Sequence, residues 1–375
     1  MKNRLYLSSP TMHGEEILFI QKAIETNWVA PLGFNCDLFE QEMETFLFPD
    51  GKKTHQALTL VSGTAAIHLA LKLAGIAPGE TVFCSDLTFA ASANPVIYEG
   101  GNPVFIDSEE NSWNMSPESL ELAFRQYPGT KYVILVHLYG SPAKMNEITE
   151  ICRKHNAILI EDAAEALSST YHGKQCGTFG KYGIFSFNGN KIITTSGGGM
   201  LLTDSAEDRS RALFLATQAR EKAPWYQHEK IGYNYRMSNL LAGVGRGQLI
   251  HLKEHRAEKE KIYRYYESAF RDIPIKMNPF LPGSIPNFWL SCITIESEKI
   301  SPAEIIRTLE KENIESRHIW KPMHLQPVFR NYPFVSAESV PVSEKIFFNG
   351  LCLPSDIKIT PSEQDFIIEL VKSCF

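Results

Sequence analysis

Residues 182–200 read Tyr-Gly-Ile-Phe-Ser-Phe-Asn-Gly-Asn-Lys-Ile-Ile-Thr-Thr-Ser-Gly-Gly-Gly-Met. The apolar run 183–187 suits a buried strand. Asn188-Gly189-Asn190 breaks it, and Met200-Leu201-Leu202 opens another strand. Between them, Ser196-Gly197-Gly198-Gly199 lets the backbone turn tightly. Lys191 therefore sits at the mouth of two expected buried strands, where burial favours the neutral, nucleophilic amine. Such a lysine can form a Schiff base with a carbonyl. The stretch fits a surface lysine in a strand-to-strand loop equally well.

Outward from this stretch, short apolar strands are expected at 57–61, 81–84, 103–106, 132–136 and 157–160. Helical segments lie among them at 14–26, 36–46, 67–73, 117–124, 144–155 and 206–217. Strand–helix alternation with near-continuous apolar strands predicts an α/β fold: a large mixed or parallel sheet covered by helices on both faces. Residues 240–270 read as one long charged helix. Beyond Pro274, prolines at 279, 282 and 286, an alternating strand at 289–295 and helices at 302–312 and 361–372 predict a smaller α+β domain. The expected division is 1–250 for the large domain and 251–375 for the small one.

The 375 residues carry a net charge of −6, with 43% hydrophobic and 21% charged residues. That is the balance of an ordinary soluble globular protein. No basic stripe points to nucleic acid, and no apolar run reaches membrane-spanning length. Seven scattered cysteines without a Cys-x-x-Cys fit reduced thiols in a cytoplasm and no metal site. His251 and His255, spaced i,i+4, read as solvated helix residues rather than ligands.

Two further stretches bear chemistry. Ser62-Gly63-Thr64 lies where a strand passes into a helix, so its N–H groups and hydroxyls could seat a phosphate; they could as well be a plain N-cap. Glu161 and Asp162 follow the strand 157–160, at the edge where ligands bind in open α/β sheets. A carboxylate there can pair with the protonated ring nitrogen of pyridoxal phosphate (PLP), which a lysine such as Lys191 would anchor.

Four motifs in order complete the pattern: Ser-Gly-Thr-Ala-Ala from Ser62, Glu-Asp-Ala-Ala-Glu-Ala from Glu161, the lysine stretch, and Gly-Tyr-Asn-Tyr-Arg-Met-Ser-Asn from Gly232. Together they resemble the DegT/DnrJ family of PLP-dependent sugar-nucleotide aminotransferases, from Trp28 to the run at 321–329. The resemblance implies the aspartate-aminotransferase-like fold (PLP fold type I). It implies Lys191 as Schiff-base lysine and proton shuttle, Asp162 at the pyridine nitrogen, and Gly63, Thr64 and Ser186 at the phosphate. It places Phe89 against the pyridine ring and Glu165 near the cofactor. Asn234 would reach the partner subunit's phosphate, implying a homodimer with shared active sites, whereas Arg236 could be a surface ion pair.

The lysine motif, Glu165 and the run from Trp320 to Pro327 look closest to the bacillosamine-type branch. They imply a UDP-linked 4-keto-6-deoxy-N-acetylhexosamine as acceptor and glutamate as donor. Nucleotide contacts are expected from Arg317, His318, Lys321 and His324, and from Asn27 and Trp28. The alternatives are a 3-keto nucleotide sugar, or a PLP protein on this fold without transaminase activity; Lys191 argues against the related dehydratases, which have histidine there.

Overall fold

The computed structural model describes residues 4–375. Helices α1 (Glu15–Glu25) and α2 (Phe34–Leu47) open the chain. Then come β1 (Gln56–Leu60), α3 (Gly63–Ala74), β2 (Thr81–Ser85), α4 (Asn94–Tyr98), β3 (Asn102–Ile106), α5 (Pro117–Gln126), β4 (Tyr132–Val136), α6 (Met145–Lys154) and β5 (Ile158–Asp162). The short β6 (Thr170–Tyr171) and β7 (Lys174–Gln175) precede β8 (Tyr182–Ser186), β9 (Gly199–Thr203) and α7 (Ala206–Ala216). Helices α8 (Asn239–Ile250) and α9 (Leu252–Ala269) lead to β10 (Ile275–Met277), β11 (Ser284–Ile285), β12 (Ser291–Ile295) and α10 (Pro302–Lys311). Last are β13 (Arg317–His318), β14 (Phe334–Val335), α11 (Val342–Asn349), β15 (Gly350–Leu353) and α12 (Pro361–Lys372).

The main sheet has eight strands in the order β1-β9-β8-β5-β4-β2-β3-β14. Only β9 runs against its neighbours, so the sheet is mixed. β4 is apolar throughout, and β5 is apolar up to Glu161 and Asp162 at its end, because helices cover both faces. On one side Leu69, Ile160, Ile184 and Leu201 form a core with α3 and α7; on the other, Phe39, Phe185, Met200 and Leu202 pack against α2 and α8. Each such side chain contributes roughly 1.5–3 kcal/mol by leaving water.

Register fixes where the functional edge lies. Leu60 of β1 and Ser186 of β8 both stand opposite Gly199 of β9. The carboxyl ends of β1, β5 and β8 thus meet at one edge. Gly199 has to be glycine: a Cβ there would fall 2.3 Å from the Ser62 carbonyl carbon and 2.4 Å from the Gly63 nitrogen. The bare backbone lets the start of α3 lie directly across the β9 strand.

The expected helix 240–270 is two helices. His251, at φ −98 and ψ 3, breaks it between α8 and α9. Beyond it, β10, β12, β15 and β13 form a four-stranded antiparallel sheet. Tyr266 of α9, Leu309 of α10 and Ile367 of α12 pack on this sheet. Three links tie this lobe to the rest: β14 pairs parallel with β3 at the edge of the main sheet, β11 pairs antiparallel with β6 in a small sheet completed by β7, and Leu5 bridges to Ile314.

Candidate active site

The strand ends converge on a cavity of about 340 Å³ whose lining includes Gly63, Thr64, Phe89, Asp162, Glu165, Ser186 and Lys191. Seven residues singled out from the sequence are therefore brought together in one chain. α3 begins at Gly63, with Ser62 as N-cap; the Ser62 hydroxyl accepts from the Ala65 N–H at 3.1 Å. The N–H groups of Gly63 and Thr64 precede the first intrahelical bond and point out of the helix end. Ser186 closes this end of the cavity from β8, where a Cβ on Gly63 would stand 3.2 Å from the Ser186 Cβ. N–H donors, hydroxyls and the positive end of a helix dipole form a seat for a phosphate.

Asp162 is the last residue of β5. Its carboxylate accepts from the Ser92 hydroxyl at 2.7 Å and from the Ala164 N–H at 3.1 Å, which fixes its orientation and leaves lone pairs free for a further N–H. The Lys191 amine lies 3.6 Å from the Glu165 carboxylate and 4.3 Å from the centre of the Trp289 ring. Glu165 is buried, and burial pushes its carboxyl up to about 7 although Lys191 pulls the other way. The Tyr139 N–H donates to it at 2.6 Å. To present that N–H, Tyr139 sits at φ 51 and ψ 25, a left-handed conformation unusual away from glycine. The donor set fits PLP: a phosphate seat, an oriented carboxylate and an amine share one cavity.

The sequence did not single out three parts of this site. The Trp289 indole N–H donates to the Asn190 carbonyl at 2.7 Å, pinning the ring under the lysine. The Tyr139 and Trp320 rings lie 5.1 Å apart, tilted by 51°, and the Tyr139 hydroxyl accepts from the Trp320 backbone N–H. Ser92 buttresses Asp162. The available signal was Trp289 at the head of an alternating strand and Trp320 before Lys-Pro; Ser92 carried none.

Other expected contacts lie elsewhere. Among the described residues, the cavity lining includes none of Arg317, His318, Lys321 and His324. Both His324 ring nitrogens face carboxylates, Asp86 at 2.8 Å and Glu344 at 3.3 Å, so the residue knits α11 to the end of β2. Arg317 is engaged by Glu315, two residues away on the same segment. His318 packs near Phe347, with ring centres 6.0 Å apart. Trp28 and Asn234 line a different cavity of about 690 Å³, with Gln218 donating to the Asn234 side chain at 3.1 Å. Asn27 is exposed beside Trp28 at φ 57. Arg236 is not a surface pair: it is buried and donates to Glu40 at 2.7 Å and to the Thr59 carbonyl.

A family model, the DegT/DnrJ/EryC1/StrS aminotransferase family, matches residues 10–372. The chain belongs to that family. EpsN of Bacillus subtilis (strain 168), assigned as a pyridoxal phosphate-dependent aminotransferase, is 46% identical over 100% of this chain and 97% of its own length. A GDP-perosamine synthase of Caulobacter vibrioides is 34% identical, covering 97% of this chain and 96% of its own. Among solved structures, a DegT DnrJ EryC1 StrS aminotransferase from Brucella abortus superposes with a TM-score of 0.87 at 28% identity, over 96% of this chain and 95% of that one. The chain is thus a PLP-dependent sugar aminotransferase of fold type I, and the lysine cavity is where the cofactor fits.

Proposed function

We propose that the enzyme transfers the amino group of glutamate to C4 of a UDP-linked 4-keto-6-deoxy-N-acetylhexosamine in the cytoplasm. The observation that carries the reading is the cavity itself. Lys191, Asp162 and the start of α3 are joined there by Trp289, Trp320 and Phe89, and Phe89 and Trp320 lie 5.5 Å apart. Aromatic walls suit the apolar face of a deoxysugar better than a small charged amino acid. Among relatives, a dTDP-4-dehydro-2,3,6-trideoxy-D-glucose 4-aminotransferase of Saccharopolyspora spinosa is 30% identical over 86% of this chain, which supports amination at C4. The relatives' names include GDP- and dTDP-sugars, so the UDP assignment rests on the motif resemblance.

The residues divide the work. The N–H groups of Gly63 and Thr64, with the Ser186 hydroxyl, would hold the phosphate. Asp162 would accept a hydrogen bond from the ring N–H of bound PLP. Bound there, PLP supplies an electron sink for the carbon that loses or gains a proton. Lys191 would hold the cofactor, and its amine would take that proton up as an ammonium and give it back. Phe89 and Trp320 would flank the ring and sugar, and Lys321, next to Trp320 but outside the cavity lining, would meet the diphosphate.

Asn234 acts in a homodimer, on the phosphate in the partner's site. Its position in a second cavity with Trp28, apart from Lys191 of its own chain, supports this reading. So do the exposed apolar residues Ile17, Leu18, Ile231 and Trp225, which one chain leaves uncovered. The direct test compares kcat/KM on UDP-4-keto and dTDP-3-keto sugars. A preference of about a hundredfold for the 3-keto sugar, about 2.7 kcal/mol, would overturn the C4 assignment.

A further inference from the structure

Behind the lysine loop, three histidines from two segments meet. His13 precedes α1, His251 breaks α8 from α9, and His255 lies on the first turns of α9 beside Glu254. His255 was expected to be solvated; it is buried, with 2% of its surface exposed. One ligand atom each from His13, His251 and Glu254 lie within 4.8 Å of one another. His255 Nε2 lies 2.7 Å from His13 Nε2.

The surrounding bonds set the tautomers. His255 Nδ1–H donates to the Ile192 carbonyl at 2.8 Å, so its Nε2 accepts from His13 Nε2–H and leaves the lone pair of His13 on Nδ1. His251 Nε2 faces Glu15 at 3.2 Å, leaving Nδ1, 3.1 Å from a Glu254 oxygen, to coordinate. A metal-ligating histidine usually holds a carboxylate or carbonyl through its other ring nitrogen, as His251 holds Glu15; an ion between His251 Nδ1 and Glu254 would replace their present contact. The Lys259 ammonium, four residues beyond His255, donates to the Trp289 and Ser355 carbonyls.

We propose that His13, His251 and Glu254 bind a divalent transition-metal ion, with zinc as the reference case. Imidazole nitrogens with one carboxylate are a zinc donor set. The His13 ring is stacked on His251 at 3.7 Å and 9°, and a metal lies in the plane of each ring it binds, so His13 tilts off the stack on binding. It is half-buried in a loop and precedes Gly14, at φ 112, so it has room to move. The ion clasps the segment before α1 to α9. That segment crosses the back of the lysine loop: Ser8 and Thr11 share a small cavity with Lys191 and Ile192.

The test uses the full-length, PLP-loaded enzyme stripped with a chelator and dialysed against zinc sulfate. Bound metal is read by mass spectrometry and the melting midpoint by circular dichroism. About one zinc per chain is expected, with a midpoint that rises on loading. His13→Ala and His251→Ala should each weaken binding at least about tenfold and abolish the rise in midpoint. Glu254→Gln, at an exposed position, tests the same ligand set without threatening the fold. Wild type that retains no zinc would overturn the proposal, as would zinc held equally by folded His13→Ala and Glu254→Gln proteins.

Discussion

Glu161 and Asp162 are consecutive in the chain, yet their carboxylates serve opposite sides of the sheet. Asp162 faces the lysine cavity. Glu161 is fully buried on the other side, where it accepts from the N–H groups of Gly177, Phe179 and Gly180 and from His137 Nε2–H. The Ala143 N–H donates to His137 Nδ1, so this histidine is a neutral imidazole. Glu161 is saturated and cannot replace its neighbour. Asp162→Asn should therefore retain PLP while turnover falls by orders of magnitude. Glu161→Leu should instead lower the melting midpoint sharply, because the loop 177–180 loses its acceptor at about 1–3 kcal/mol for each stranded donor. A near-normal rate in Asp162→Asn would assign the ring-nitrogen role elsewhere.

Lys191→Ala should lose both the visible absorbance of the lysine-bound cofactor and essentially all turnover, since attachment and proton transfer rest on one amine. Adding glutamate to wild type should bleach that absorbance; the variant should show no such change. Wild-type turnover in the variant would remove Lys191 from the mechanism.

Glu165 makes stability pH-dependent in a predictable direction. Burial raises its folded-state carboxyl to about 7, above its usual value of 4.5. The folded chain thus keeps a proton that the unfolded chain releases, and stability from this group is lost as pH rises through the window from 4.5 to 7. The slope is at most about 1.4 kcal/mol per pH unit. Denaturant unfolding of cofactor-free protein at pH 5 and pH 8 should show a larger loss for wild type than for Glu165→Gln. Equal losses would mean that Glu165 is ionised throughout.

The shared-site reading predicts rescue. Lys191→Ala and Asn234→Ala chains, each inactive alone, should regain activity when mixed and refolded, because each heterodimer would contain one site with both native residues. Persistent inactivity of the mixture, or a monomer by sedimentation, would refute the shared site.

Much of this was legible in the residues. The run 132–136 reads as a strand and is one, because five consecutive buried apolar residues leave little other choice. Gly63, Asp162 and Lys191 could be singled out as candidates because strand ends at a sheet edge carry distinctive polar breaks, whereas Ser186 came from the family resemblance alone. The pair β14 and the support from Ser92 were not legible, since two-residue strands and single hydroxyls leave no periodic trace. His324 and His255 misled for a common reason. A histidine on a helix or turn shows nothing in sequence of the carboxylate or carbonyl that the fold brings to it. The break at His251 was invisible because its backbone departs from the helix without glycine or proline.

β14 has a mechanical consequence. It enters the main sheet beside β3 from a chain segment flanked by elements of the small lobe, and Leu5 runs the other way to Ile314. The two lobes are laced through each other at both ends of the polypeptide. Pulling one lobe away must peel a strand from the other, so the molecule should unfold as a single cooperative unit. A chain cut before residue 330 would leave the β3 edge bare and prone to pair with another molecule.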